Sequence, residues 1–434
     1  MNREILRIAL PAIIANIAVP LLGLLDTAIA GHLGAAKFIG AAAVGATMLN
    51  VIYWHFEFLR MGTSGMTAQA LGAGSRERQA QALQRSIIVA AALSFIILVL
   101  LVPLRSLALW IISPSQEVRI LAEQYFTIAI WGAPAVLITM SIKGWLLGRQ
   151  DSRSPMSIAI VINVLNIIVS LVAVFVLQLG FIGIALGTLV AVWVGLFYSL
   201  WLVFKRHSEV AWLVNLRKSG GESIVSRRFF RVNADIFIRS FFMMAVMLFF
   251  TSAGARSGDI ILAVNSMMMQ LFLFYSYFMD GFAFAGEAIV GKYYGADDVA
   301  SLKRCVNRLM LWGAAITIPF SLAYALFPYP IFTTLTSLDD VAQAALHYRW
   351  WCAAVPLMGM AAFVWDGVYV GLTHTRGMLI AVAAAAIVFF TLFYTLPQSW
   401  VNHRLWMAFI TFLALRSLIQ TILYPSHIRR HFHQ

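Results

Sequence analysis

Charged residues are scarce in this chain. Of its 434 residues, 11% are Asp, Glu, Lys or Arg and 61% are hydrophobic, whereas soluble globular proteins carry about 25% charge. The shortage excludes an ordinary soluble domain and places the chain in a lipid bilayer. Acidic residues are scarcer than basic ones, with 18 Asp and Glu against 31 Lys and Arg, and the formal net charge is +13.

Cysteine is nearly absent. Cys305 and Cys352 are the only two, and they lack the spacing of a zinc or redox motif, so we expect them to be packing residues. The sequence also lacks a nucleophile with its base and any H-E-x-x-H pattern. We therefore expect neither an enzyme nor a protein with a bound cofactor.

Long apolar runs take the place of charge. A membrane-spanning helix needs about 20 apolar residues, and twelve runs meet that length, six in each half of the chain. They lie at 8–31, 38–71, 84–112, 120–148, 155–178, 180–204, 229–253, 259–292, 307–328, 341–372, 378–396 and 403–425. The pattern predicts an all-α integral membrane fold with twelve transmembrane helices.

Short motifs recur 223 residues apart. Gly144, Gly148 and Arg153 reappear as Gly367, Gly371 and Arg376, and the pair at 72–73 reappears at 295–296. We interpret this spacing as the duplication of a six-helix bundle, although chance similarity of Gly-rich segments is the alternative. Duplicated halves are typical of membrane transporters.

The basic residues indicate the topology. With the N-terminus in the cytoplasm, 21 Lys and Arg fall on the cytoplasmic side and six on the other, as the positive-inside rule requires. The excess of positive charge is thus a topology signal, and we expect no nucleic acid partner. Residues 205–228 are basic and contain a flexible Ser-Gly-Gly step. We predict bundles at 1–204 and 229–434, joined by this cytoplasmic linker.

An acidic residue inside a membrane span indicates a structural or functional role, because inserting each one into the bilayer costs roughly 2.5–3.5 kcal/mol on insertion scales. Asp26 follows Pro20 by six residues, and proline removes a backbone donor and tends to kink a helix. A carboxylate beside such a bend can change the helix shape on protonation. The alternative is that Asp26 only accepts hydrogen bonds from a neighbouring helix.

Three acids in the second half form a possible second site. Asp280 and Glu287 are two helical turns apart and share a face, and Asp366 opens a later Gly-rich stretch. The alternative is structural pairing with Arg239, Arg416 or Lys143, three of the basic residues within the spans.

Other polar residues in the spans are placed to pair with each other or to bond neighbouring helices. Glu57 and Arg60 are three residues apart and can pair on one helix, as can Asp235 and Arg239 at a spacing of four. A further group offers either oxygen ligands or hydrogen bonds between helices. Its members are Asn163, Asn166, Ser170 and Thr188.

Several motifs in order resemble one transporter family. The sequence DTA at 26–28 is followed by GHLG at 31–34, FLRM at 58–61 and TAQALGA at 67–73, and later by GWLLG at 144–148, NVLNI at 163–167 and DGFAFAGEA at 280–288. The set resembles the DinF branch of the multidrug and toxic compound extrusion (MATE) transporters along nearly the whole chain.

The resemblance implies two six-helix bundles in a V, with a central cavity that opens alternately to the two sides. It implies export of small amphipathic, often cationic compounds in exchange for H⁺ or Na⁺. The acid matching Asp26 is the coupling residue in this branch, the bend near Pro20 responds to it, and residues matching Asn166 and Thr188 help form the cation site.

One position departs from the family pattern. Many relatives have a second Asp four residues after the position of Asn166, where this chain has Ser170. A single carboxylate offsets less of the cost of dehydrating Na⁺ than two carboxylates do, so we favour H⁺ as the coupling ion.

We expect a monomer in contact with lipids of the bacterial inner membrane, with both termini cytoplasmic. The alternative function is a flippase of lipid or oligosaccharide.

Overall fold

The computed structural model describes residues 1–211, 227–336, 338–400 and 402–432. Within these residues the chain is helical with no β-strand. Eleven of their helical stretches are long and apolar enough to cross a membrane, and the 30-residue helix α1 (Asn2–Gly31) precedes them. The predicted all-α membrane fold is confirmed, and α1 with these eleven stretches accounts for its twelve spans.

The helices of the first half divide three of the predicted spans. Proline begins two of the new segments, since Pro103 lies in the first turn of α5 and Pro134 in the first turn of α7, where its missing N–H is tolerated. The helices after α1 are α2 (Ala36–Trp54), α3 (Phe58–Gly72), α4 (Arg76–Val99), α5 (Leu101–Ile112), α6 (Gln116–Ala129), α7 (Ala133–Gly148), α8 (Arg153–Leu171), α9 (Ile182–Arg206) and α10 (Ser208–Ala211).

The second half follows the same order with fewer breaks. Its helices are α11 (Arg227–Arg256), α12 (Asp259–Gly295), α13 (Val299–Leu326), α14 (Pro328–Leu335), α15 (Asp339–Leu346), α16 (Arg349–Leu372), α17 (Thr375–Thr395) and α18 (Asn402–Phe432). The predicted span at 341–372 is therefore shorter, because α15 precedes it as a separate helix. Most of the predicted linker, residues 212–226, lies outside the described residues.

The chain divides into two compact units, Ile14–Phe229 and Met1–Ile13 together with Phe230–Gln434. The sequence prediction assigned the first 13 residues to the first bundle, whereas in the structure they pack with the second unit. Glu4 explains part of this arrangement. Its carboxylate accepts hydrogen bonds from Lys292 Nζ and Tyr293 Oη, each at 3.1 Å.

Each unit has an aromatic core of its own. In the first unit the fully buried Trp145 packs in a cluster with Leu146 and Ile158, and its Nε1 donates to Gln79 O at 2.8 Å. The second unit has a larger cluster of buried rings, whose fully buried members include Phe250, Trp406, Phe409 and Phe412. The burial of large rings in each unit gives each a core that excludes solvent and lipid.

Two glycines make the same close approach in the two units. A Cβ atom on Gly144 of α7 would collide with the backbone carbonyl of Arg60 on α3. A Cβ atom on Gly367 of α16 would collide with the carbonyl of Ala283 on α12. Each residue lies 223 positions from its counterpart in the other unit, so the duplicated motif serves to bring two helix backbones together.

The caps of α4 and α13 repeat in the same way. Ser75 Oγ accepts a hydrogen bond from Arg78 N at 3.2 Å, and Asp298 Oδ1 accepts one from Ser301 N at 2.9 Å. Each cap satisfies a backbone donor that the first turn of a helix leaves unused. The internal duplication predicted from sequence is thus present in the local structure of both units.

Candidate functional site

Asp26 lies in the last third of α1 and is 7% exposed. Its Oδ1 atom has no hydrogen-bond partner among the described residues. The helix runs through position 20 without a break, but the side chains of 19–22, and with them the predicted bend at Pro20, lie outside the described part. Asp26 is therefore a buried acid with one oxygen available to a proton or cation.

Thr188 of α9 is the centre of a small polar group in the same unit. Asn166 Nδ2 of α8 donates to Thr188 Oγ1 at 3.0 Å, and Tyr125 Oη lies 3.2 Å from the same oxygen. The Tyr125 hydroxyl is also an electrostatic neighbour of Asp26. Three helices besides α1 thus converge on this group.

Asn163 and Ser170 lie on the same helix as Asn166 and have different surroundings. Asn163 Nδ2 donates to the backbone carbonyl of Ala18 at 2.9 Å, which fastens α8 to the middle of α1. Ser170 is fully buried and abuts Gly187 of α9, where a Cβ atom would collide with its Oγ. Asn163 therefore links α8 to α1 by a hydrogen bond, and Ser170 lies at a close approach of α8 to α9.

The first unit leaves several oxygens of this region without partners in the described chain. They are Oδ1 of Asp26, Oδ1 of Asn166, Oγ of Ser170 and the Tyr53 hydroxyl. A buried polar atom without a partner costs about 1–3 kcal/mol, and these four oxygens, on α1, α2 and α8, are available to a polar ligand. Carboxylate, amide and hydroxyl oxygens suit a proton or a hard cation.

Tyr53 and Tyr125 were missed by the sequence analysis. Tyr125 is 3% exposed, and the two hydroxyls are electrostatic neighbours. A tyrosine within an apolar run is a weak signal, because its ring suits any core and only the fold shows where its hydroxyl points. Their proximity to each other depends on α2 and α6 packing together.

Asp366 in the second unit is fully engaged. Its Oδ2 atom accepts from Arg239 and from Arg416, the latter at 2.9 Å, and its Oδ1 accepts from Gln420 at 2.8 Å. Arg416 and Gln420 are 2% and 0% exposed. Charge-assisted hydrogen bonds of this kind are about twice as strong as neutral ones. The three partners therefore hold the Asp366 carboxylate firmly in place.

The other two acids of the second unit are placed differently. Asp280 of α12 is half-buried and is an electrostatic neighbour of Arg416, so the structure brings it to the cluster around Asp366. Glu287, on the same helix, is 1% exposed. The described residues contain no group of three or more His, Cys, Asp or Glu side chains able to hold a metal ion.

A family model described as MatE matches this chain twice, at residues 11–172 and 236–395. The chain belongs to the MatE family. Two matches to one model, one in each half, are also what duplication of a bundle produces. The family comprises transporters and not enzymes, which agrees with the sequence prediction.

Curated relatives of this MatE chain include DNA damage-inducible protein F of Escherichia coli, which is 36% identical over 441 residues, covering 99% of this chain and 93% of the relative. A probable multidrug resistance protein NorM of Thermotoga maritima is 24% identical and covers 79% of this chain and 74% of its own length. The predicted resemblance to the DinF branch is confirmed.

Solved structures show the same fold. A crystal structure of MATE in the bent conformation superposes with a TM-score of 0.91 at 18% identity, covering 99% of this chain and 96% of its own. The Vibrio cholerae MATE transporter VcmN in the bent form gives 0.87 at 16% identity, covering 99% and 97%. This chain is a multi-pass membrane protein of the MatE transporter fold.

Proposed function

We propose that this MatE protein is a secondary antiporter that exports small amphipathic, often cationic compounds from a bacterial cell in exchange for H⁺. It acts by alternating access in the inner membrane, as a monomer among lipids, with both termini in the cytoplasm. Its relatives include a probable multidrug resistance protein, and the charge bias of its loops supports the orientation.

The observation that carries the proposal is the buried Asp26 with its unsatisfied oxygen. Asp366 makes three hydrogen bonds from two guanidinium groups and an amide, which leaves it little capacity for a coupling ion. The oxygens near Asp26 include one carboxylate and otherwise neutral groups. A single negative charge offsets only part of the cost of dehydrating Na⁺. A proton is transferred directly to the carboxylate and needs no such compensation, which supports H⁺.

Protonation of Asp26 is the proposed switch. A charged acid inside a span costs roughly 2.5–3.5 kcal/mol, and neutralisation removes that cost. Where one orientation buries the carboxylate and the other exposes it to water, a difference of this size shifts the equilibrium between them roughly a hundredfold, because each 1.4 kcal/mol is tenfold. Proton uptake therefore suffices to favour one orientation of the transporter over the other.

Transport in proteoliposomes tests the proposal. We expect efflux of the fluorescent cation ethidium under an imposed pH gradient, and loss of at least roughly 90% of the initial rate in Asp26→Asn, since a carrier without the switch cannot couple the two fluxes. The matched control is Asp259→Asn, which removes an exposed carboxylate at the start of α12. We expect it to retain the wild-type rate.

Other outcomes would redirect the assignment. Efflux that follows a Na⁺ gradient and survives Asp26→Asn would place the coupling in the second unit. An absence of efflux under both gradients would favour a flippase, the alternative function. In that case the substrate assay would be repeated with fluorescent lipids.

A further inference from the structure

The exposed side chains of α9 form an apolar stripe. Its members, at intervals of four and three residues and 40–63% exposed, are Val190, Val194, Phe197, Trp201 and Phe204. This spacing places them on one face of the helix, and α9 is among the stretches long and apolar enough to cross a membrane. At 1.5 Å per residue the stripe extends over about 21 Å, whereas one leaflet contributes roughly 15 Å of hydrocarbon. The stripe is therefore long enough to contact the acyl chains of a whole leaflet.

Lys205 lies at the end of this stripe. Its ammonium is 4.2 Å from the centroid of the Trp201 ring, and the Tyr198 ring stacks on Trp201 with the two centroids 5.7 Å apart. The negative face of an indole ring attracts a cation, while the three N–H donors of the ammonium stay available for hydrogen bonds. The two rings thus hold an exposed ammonium in place beside the lipid-facing side of α9.

Lys205 lacks the carboxylate partner that other basic residues of the first unit have. Those pairs are Arg60 with Glu57, as predicted, Arg149 with Glu209, and Arg206 with Asp151 at 3.5 Å. The Lys205 ammonium makes neither a hydrogen bond nor an ion pair with any residue in the described ranges. Its charge is therefore balanced by no acid of the described chain.

A second cation without a partner lies at the start of the neighbouring helix. Arg206 Nη1 donates to Ser154 Oγ at 3.1 Å, which brings the end of α9 to the first turn of α8. Arg153, the first residue of α8, is exposed and makes no hydrogen bond or ion pair with the part of the chain that the structure describes. Arg153 and Lys205 thus concentrate positive charge at the end of the α8–α9 pair that the charge bias assigns to the cytoplasm.

We propose that this end of the first unit binds an anionic phospholipid, with Lys205 and Arg153 on the phosphate and the acyl chains along the stripe of α9. Phosphate oxygens accept charge-assisted hydrogen bonds from ammonium and guanidinium groups, and basic residues at the cytoplasmic end of a span recognise anionic lipid headgroups. A lipid satisfies both parts of the site, whereas a free anion would use the cations and leave the stripe unoccupied. The inference goes beyond the proposed antiport and does not depend on it.

Native mass spectrometry of the purified chain tests this inference. Palmitoyl-oleoyl phosphatidylglycerol and phosphatidylcholine have the same acyl chains, but only the first carries a net negative charge. We expect wild type to bind phosphatidylglycerol with a Kd at least about tenfold below that of phosphatidylcholine. Lys205→Gln should raise the Kd of phosphatidylglycerol about fivefold. The double variant with Arg153→Gln should bring it within about twofold of phosphatidylcholine, whose own Kd should change less than about twofold in either variant.

Two further variants are the controls. Lys205→Arg keeps the charge and should leave the Kd of phosphatidylglycerol within about twofold of the wild-type value. Lys303→Gln removes an exposed ammonium near the start of α13, which contacts neither a ring nor a carboxylate of the described residues. It should also leave the Kd unchanged, because its charge lies outside the proposed site.

Three results would overturn the inference. They are equal Kd values of the two lipids for wild type, an equal rise for both lipids in Lys205→Gln, and a rise in Lys303→Gln as large as in Lys205→Gln. Displacement of phosphatidylglycerol by an excess of glycerol phosphate would also overturn it, because the site would then recognise the anion without the acyl chains. Lipid binding as expected, without efflux under a pH or Na⁺ gradient, would support this site and refute the antiport.

Discussion

Asp26 and Asp366 differ in what surrounds their carboxylates. Asp366 is bound by Arg239, Arg416 and Gln420, whereas one oxygen of Asp26 has no partner in the described chain. Removing one member of a buried ion cluster is strongly destabilising. This difference agrees with the proposed coupling role of Asp26 and with a structural role for Asp366.

Asp151 lies outside the membrane-spanning helices, between α7 and α8. Burial alone would raise its pKa, but hydrogen bonds from His207 and Ser154 and the nearby Arg206 charge outweigh that effect and hold the pKa at about 2. The Ser154 hydroxyl donates to it at 2.6 Å and His207 Nε2 lies 3.3 Å away. The carboxylate thus ties the end of α9 to the start of α8.

We predict that this tie stabilises the protein above about pH 4 and is lost in acid. A depressed pKa contributes stability above the ordinary pKa, 3.8 for Asp, and loses it as the pH falls toward about 2. Asp151→Asn should lower the Tm by a few degrees at neutral pH, measured by thermal unfolding in detergent. The difference from wild type should shrink as the pH falls from about 4 to about 2, and a constant difference would contradict the prediction.

The repeated glycines define the packing of two helix pairs. Gly367 brings α16 against the carbonyl of Ala283 on α12, and Gly144 does the same for α7 and α3. The sequence located both glycines through their spacing. It did not show which helices they join, because the partner backbone lies some 80 residues earlier in each unit.

We predict that Gly367→Ala destabilises the second unit whereas Gly359→Ala on the same helix does not. A Cβ atom at 367 meets a backbone carbonyl that cannot move aside, and overpacking of this kind costs about 1–3 kcal/mol. A Cβ atom at 359 would make ordinary contacts, the nearest at 3.5 Å to a Phe363 ring atom. Monodisperse yield and Tm in detergent measure the effect, and equal values for both variants would refute it.

Some helix boundaries have a local cause in the sequence that the hydropathy prediction did not use. Prolines mark the starts of α5, α7 and α14, and a proline in the first turn is a signal that sequence carries directly. Hydropathy alone joined α4 with α5 and α15 with α16, because both members of each pair contain apolar residues. A proline marks the first of these boundaries, whereas no proline lies between α15 and α16.

The orientation of the whole molecule is a further prediction. Cytoplasmic termini place Arg78 on the cytoplasmic side and Ser113 on the outer side, and both side chains are exposed. In intact cells an impermeant maleimide should label Ser113→Cys, and it should label Arg78→Cys only after permeabilisation. Cys305 and Cys352 are buried, so the background should be low. The reverse pattern would show the opposite topology.

The sequence by itself determined the membrane class, the twelve spans, the duplication and the family, because these follow from run length, spacing and ordered motifs. Only the tertiary structure decided which charges pair. Arg239 was predicted to pair with Asp235 four residues away, but it binds Asp366, while Asp235 accepts from the Thr375 hydroxyl at 3.0 Å. In a bundle each buried side chain faces other helices, so its partner comes from distant parts of the chain.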